Sequence, residues 1–279
     1  MFTLVSIELY KIFKKWRTYI GFIAIGLLVP LIHIAMLIEG SRTLNFMTRN
    51  IQESFVFVGN LLNGYLVSYL TLSSLAIHIP FLITLVAGDL LAGEATSGTY
   101  RLLVTRPVSR TRIVISKFIA AVIYTNLLVL WLSIVSLGLG ILLFGVGELL
   151  VISSDTLIIF KQSDVLWRFL LGYGFATLGM TVVAALAFFF SSLVENAIGP
   201  IISTMAVIIV FLVISALQIE FFSVIRPYLF TNYIMSWRLF FDDPIDIQEI
   251  IKSASILLAH IAVFFTAALI IFQRKDILT

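Results

Sequence analysis

The sequence predicts an all-α integral membrane fold of six transmembrane helices, and three observations predict it. Of 279 residues, 61% are apolar and only 12% charged, with a mean hydropathy of +1.12, where soluble domains run at roughly 45–50% apolar and about 25% charged. A soluble globule of this length could not cover so much apolar surface. Six stretches are long enough to cross a hydrocarbon core about 30 Å thick as helices of about 20 residues. No segment shows the ten-residue alternation of a membrane β-barrel strand.

The same composition excludes other classes. Disorder requires low hydropathy and high charge, collagen a glycine at every third position, and a disulfide scaffold cysteine. The chain has no cysteine, which removes iron–sulfur and thiol chemistry, and its net charge of +3 is too small to indicate nucleic acid as a partner.

Taken in order, residues 2–17 read as an amphipathic helix lying in the cytoplasmic interface. Val5, Leu9, Ile12, Phe13 and Trp16 recur at helical spacing, with Glu8, Lys11, Lys14 and Lys15 on the other face. The same residues would also serve as a basic anchor for the first span. The spans are expected at about 18–38, 63–87, 118–146, 166–193, 197–217 and 253–272. The first is too long for a signal-peptide apolar region, and Glu39-Gly40-Ser41-Arg42, not a small-residue cleavage site, follows it. It is read as a retained helix. With no internal repeat and no Pro- or Ser-rich linker, residues 1–279 are expected to form one domain.

Orientation follows from charge. With the N-terminus inside, eleven of the eighteen basic residues and five of the fifteen acids fall on the cytoplasmic side. That is a net +6 inside against −3 outside. The expectation is a multi-pass protein of the plasma membrane with both termini cytoplasmic.

The connection from Gly88 to Lys117 carries turn chemistry that lipid anchoring does not require. Gly98 should break a helix, Thr99 can cap a short one over Tyr100 to Val104, and Pro107 should stop it. Ser109 can then cap a helix that climbs through Lys117 into the membrane. The short piece would carry Leu102, Leu103 and Val104 beside Arg101, Arg106 and Arg110.

Glu94, Ser97-Gly98-Thr99, Arg101-Leu102-Leu103, Arg106-Pro107-Val108-Ser109-Arg110, Ile113 and Ser116-Lys117 together resemble the cytoplasmic signature of type 2 ABC exporter permeases. The resemblance extends in weaker form to the six spans, the basic N-terminal helix with Glu8, and the closing Arg274-Lys275-Asp276-Ile277. It implies the membrane half of an ATP-driven exporter, whose coupling helix docks on a separate ATPase subunit. Carried onto this chain, Glu94, Gly98, Thr99, Arg101, Leu102, Leu103, Pro107 and Arg110 would form the docking element. The N-terminal helix would pack beside it, and the Ser191–Asn196 loop would make a second, smaller contact. Two ATPase subunits and a second permease, identical or similar, would complete the assembly, and re-entrant helices would lie between spans five and six.

The residues point to a partner independently. The chain lacks the Gly-x-x-x-x-Gly-Lys-Ser/Thr phosphate loop, and the two glycines of the Gly93–Thr99 stretch have neither its lysine nor a preceding strand. The chain itself is therefore not expected to be an enzyme, nor to carry a cofactor. It also lacks a His-Glu-x-x-His pair for intramembrane hydrolysis.

All three histidines, His33, His78 and His260, fall within expected spans. An ionisable group in the membrane is a functional candidate, and His33 with His260 would suit a haem- or metal-binding anchor if the first and sixth helices touch. The bland alternative is interhelical hydrogen bonding. Strong charges are otherwise scarce at the span centres, which disfavours an ion-driven carrier. Ser68, Thr71 and Ser74, then Tyr124, Thr125 and Asn126, then Gly172, Ala176, Thr177, Thr181 and Ala185 fit close helix packing. Between residues 218 and 252, eight aromatic side chains surround Arg226-Pro227 and Asp242-Asp243-Pro244, which suits short helices returning to the outer interface as well as a surface loop.

Overall fold

In hydrocarbon an open N–H or C=O has no water to bond, so long apolar runs satisfy their backbones internally as helices. A computed structural model describes residues 1–52, 61–98, 108–152, 157–217 and 219–275. Helix α1, Phe2–Lys14, ends where Lys15 turns extended, and α2 runs from Trp16 to Gln52. The helix expected over 2–17 is thus two helices meeting at a corner, held by Thr18, whose hydroxyl donates to the Ile12 carbonyl. Helix α2 outlasts the expected span despite Gly40, and Arg42 pairs with Glu39 one turn back at 3.0 Å.

The second expected span is two helices, α3 (Gly64–Leu75) and α4 (Ile79–Ala87), bent by 53°. Pro80 in the first turn of α4 has no N–H to continue the ladder, which turns the chain here. Helix α5, Asp89–Thr96, follows directly. Helix α6, Arg110–Phe144, starts with the Ser109 hydroxyl accepting from the Arg112 amide at 3.4 Å, as expected, and ends at Gly145 with φ +72°.

The all-α fold then carries one small addition, a two-stranded hairpin. Strand β1, Leu149–Ile152, pairs antiparallel with β2, Leu157–Phe160, from Leu149 opposite Phe160 to Ile152 opposite Leu157. Four-residue strands of continuous apolar residues carry neither a span's length nor a barrel's alternation, so both templates pass over them. Helices α7 (Gln162–Leu193) and α8 (Ile198–Ala216) follow. The short α9 (Glu220–Ser223) and α10 (Thr231–Ile234), with 3-10 turns at Arg226–Tyr228 and Met235–Phe241, lead to α11 (Ile247–Arg274).

Five of these helices, α2, α6, α7, α8 and α11, are long and apolar enough to cross a membrane, and α3 with α4 is equally so when taken as one bent unit. The chain is a multi-pass helical membrane protein. Helix α7 is its axis: 67% of its most apolar window is buried, against 17% for α8 and α11. Small residues let neighbours approach it. A Cβ on Gly172 would stand 3.2 Å from the Phe241 ring, and one on Gly179 would lie 3.4 Å from the Ile234 Cα. Helices α3 and α6 touch backbone to backbone, since a Cβ on Gly140 would lie 2.7 Å from the Gly64 carbonyl oxygen. Ser68 donates to the Ser136 carbonyl across the same contact at 3.0 Å.

The bundle has two unlike ends. One collects α1, α5, the start of α6, the 191–197 turn and the end of α11. The other holds the hairpin and the aromatic segment between α8 and α11, where Phe230, Trp237 and Phe241 are completely buried. The short helices expected between residues 218 and 252 are present, packed into the bundle against Tyr69 and Phe169.

Candidate functional site

Helix α5 is the element around which the first end is built. Eight residues are too few to hold a helix in isolation, and its N-cap, Gly88, has no side chain to accept from the first amides. The Ser191 hydroxyl at the end of α7 fills the gap, accepting from the Leu91 and Ala92 amides at 3.1 and 2.9 Å and donating to the Gly88 carbonyl at 2.6 Å. At the other end of α5, Thr96 donates to the Glu195 carbonyl at 2.7 Å and accepts from the Ala197 amide at 3.2 Å. The helix stops where Gly98 takes φ +67°, a left-handed conformation that glycine adopts at no steric cost.

The acids of α5 meet the bases of α1 and α6 in a closed cluster. Lys117 on α6 is 1% exposed, and its ammonium lies 2.7 Å from both Glu8 Oε2 and Glu94 Oε1. Lys11 on α1 reaches Glu8 Oε1 at 2.7 Å and Glu94 Oε1 at 2.9 Å. Asp89, one helical turn before Gly93, is held by Lys15 at 2.6 Å, with the Arg17 guanidinium at 3.6 Å. Gly93 gives that carboxylate room, because a Cβ there would stand 2.7 Å from Asp89 Cγ.

Charge decides the protonation of this cluster. Burial alone would raise the Glu8 carboxyl, but the Lys117 charge and hydrogen bonds from Lys11 and Lys117 outweigh it and hold it below its ordinary 4.5. Burial would likewise lower Lys11, but Glu8 and Glu94 hold it above its ordinary 10.5. Glu8 and Lys11 are therefore both ionised around neutrality, and the cluster joins three chain segments.

This placement corrects the sequence reading at several points. Glu8 does not share a solvated face with Lys11, Lys14 and Lys15; it points inward between Val5 and Ile12, the other buried residues of α1, while Trp16 is 73% exposed. Lys117, expected where α6 climbs into the membrane, is buried there. Of the candidate docking residues, Thr99, Arg101, Leu102, Leu103 and Pro107 lie outside the described residues. Glu94 is 8% exposed and turned into the cluster, and Gly98 forms the turn. Arg110 donates to the Gln273 and Lys275 carbonyls at 3.2 and 2.8 Å, closing the C-terminal end of α11. The Ser191–Asn196 stretch meets α5 through Ser191 and the Glu195 carbonyl. No spacing rule could have paired Lys117 with Glu8, which are 109 positions apart; the only signal was a few opposite charges at the ends of apolar helices.

The histidines are placed apart in the hydrogen-bond pattern. His33 Nδ1 lies 2.8 Å from the Val29 carbonyl and Nε2 3.1 Å from that of Ser136, so both ring nitrogens are engaged by backbone. His78 and His260 each place Nδ1 2.8 Å from a carbonyl one turn back on their own helices, Ser74 and Ile256. Among the described residues no group of three or more His, Asp or Glu side chains could hold a metal ion.

A family model described as protein of unknown function, DUF2705, matches residues 24–278. The chain belongs to the DUF2705 family. The matched region contains Asp89, Glu94 and Lys117 but not Glu8 or Lys11, so α1 brings its charges to the DUF2705 region from outside the match. Comparison with curated proteins gives no match.

Proposed function

We propose that this protein is the permease subunit of an ATP-binding cassette exporter, working with a separate ATPase. In this reading α3 and α4 form one bent span, making six, and the residues following α5 form the coupling helix on the cytoplasmic side. Both termini are then cytoplasmic, in the plasma membrane, and two permease chains stand over two ATPase subunits. ATP-driven movement of the ATPases would push on the coupling segment and, through α5, tilt α4 and α7.

The observation that carries this reading is the way α5 is built. A short helix beyond the apolar run is capped by one span through Ser191, tied by Thr96 to the turn before the next, and ion-paired to α1 and α6. Such an element transmits a push from one end of the bundle to several spans at once, whereas a plain connecting loop would yield. The signature from Glu94 to Lys117 and the lack of a phosphate loop in the sequence agree with it.

Glu94 enters this reading as a positioning residue, and the apolar pair Leu102 and Leu103 as the contact with the ATPase. The test is co-purification from membranes with an ABC ATPase encoded beside this chain. Leu102→Asp with Leu103→Asp should abolish association while the permease keeps its melting temperature. Undiminished association would remove the proposed docking site, and no ATPase retained by the unaltered chain would remove the function.

A further inference from the structure

A cavity of about 530 Å³ opens between α1 and the elbow of α4 and α5, well inside the range of roughly 300–1,000 Å³ that small-ligand sites occupy. Its charges do not balance. Five basic side chains line it, Lys11, Lys14, Lys15, Arg17 and Lys117, against three acids, Glu8, Asp89 and Glu94. Glu8 and Glu94 are matched by Lys11 and Lys117, and Asp89 by Lys15 at 2.6 Å. Among the described residues Lys14 has no acid within ion-pair distance, and Arg17 stands 3.6 Å from the carboxylate that Lys15 already holds. The surplus is two positive charges at the mouth.

The wall beneath that surplus is apolar, with Leu4, Ile7, Leu85 and Leu90 among its residues. The outer surface of α1 continues it, since Phe2 and Tyr10 are 94% and 68% exposed. A soluble anion would leave this wall wet, and a zwitterionic lipid would bring its own cation to a site already rich in them. An anionic amphiphile satisfies both parts. We propose that this cavity binds one anionic phospholipid, its phosphate at Lys14, Lys15 and Arg17 and an acyl chain along Leu4, Ile7 and Leu90. Basic pockets at the ends of membrane helices hold anionic headgroups by the same physics. The lipid would brace α1 against the elbow, which does not depend on any ATPase partner.

The test is native mass spectrometry of the full chain in neutral detergent, titrated separately with phosphatidylglycerol, phosphatidylcholine and sn-glycerol 1-phosphate. One phosphatidylglycerol should be retained, with phosphatidylcholine at least about tenfold weaker and glycerol phosphate weaker still. Each basic residue near an anionic headgroup contributes about a fivefold change in affinity. Lys14→Glu with Arg17→Glu should therefore weaken phosphatidylglycerol by about twentyfold or more, and Lys14→Arg with Arg17→Lys should retain it. Should the reversed pair fail to fold, Lys14→Gln alone should lose about fivefold. Equal retention of the two lipids, or no loss in the charge variants, would overturn the proposal. Glycerol phosphate binding as tightly as the lipid would also overturn it, by making the site one for a soluble phosphate.

Discussion

Among the described residues two basic side chains are buried, Lys117 at one end of the bundle and Arg168 at the other, and they are satisfied in different ways. Lys117 is compensated by charge, with two carboxylates from two other helices at 2.7 Å. Arg168 on α7 is 5% exposed and donates to the Phe240 and Asp242 carbonyls at 2.8 and 3.0 Å. Its guanidinium also reaches Asp164 at 3.0 Å and lies over the Phe160 and Trp167 rings at 4.1 and 4.8 Å from their centroids. The planar fork of an arginine suits carbonyls and rings, while a compact ammonium suits two converging carboxylates. The Arg168 end is thus a clamp of backbone carbonyls, rings and one partly exposed carboxylate on the aromatic segment and hairpin. The Lys117 end is a joint made of charges, one that changes in charge state or salt can loosen.

The strongest way to break this comparison is Lys117→Met, which leaves the buried Glu8 and Glu94 with only the partly exposed Lys11 between them. It should cost about 3–5 kcal/mol, read as a fall in the detergent melting temperature. The pH profile sharpens the result. Glu8 titrates below its ordinary 4.5 when folded, so its contribution is complete above that value and disappears as pH falls through the lowered one. Lys11 titrates above 10.5 when folded, so its contribution is complete below that value and disappears as pH rises through the raised one. Protection of α1 in hydrogen exchange should therefore be flat across neutrality and fall at both extremes. The carbonyl bonds of Arg168 have no such titration. A profile in which the aromatic segment loses protection first at both extremes would contradict the distinction.

Arg168→Met should cost about 2 kcal/mol through its lost charge-assisted bonds, with the loss of protection confined to the segment from 226 to 242 and the hairpin. Ser191→Ala should cost about 1 kcal/mol by uncapping α5 and should make Gly93 to Ser97 exchange faster without disturbing the Arg168 end. Lys15→Gln should have the smallest effect, below about 1 kcal/mol, because its side chain is 48% exposed and such pairs are screened by water and salt. Lost protection spreading to both ends in either Ser191→Ala or Lys15→Gln would mean that the ends are not separate units.

Much of this was legible along the chain. The span limits 118–146, 166–193 and 197–217 lie close to α6, α7 and α8, because lipid solvation needs only length and hydropathy. The Ser109 cap and the Gly98 break were legible because capping and a left-handed turn depend on single residue types. The hairpin was not, since four apolar residues look alike in strand, helix and loop. The inward turn of Glu8 was not either, because helical periodicity gives the angle between side chains and says nothing of which face meets a partner.

The sequence by itself determined that the chain is helical, that it lives in lipid, and roughly where its helices lie, because these follow from backbone hydrogen bonding and apolar length. Only the tertiary structure decided what its few charges do. A lysine at the start of a span reads as an anchor until a glutamate 109 positions away and another on a third helix are brought within 2.7 Å of it. An ion pair needs its charged atoms within about 4 Å of each other, so its partners are set by packing and not by order along the chain.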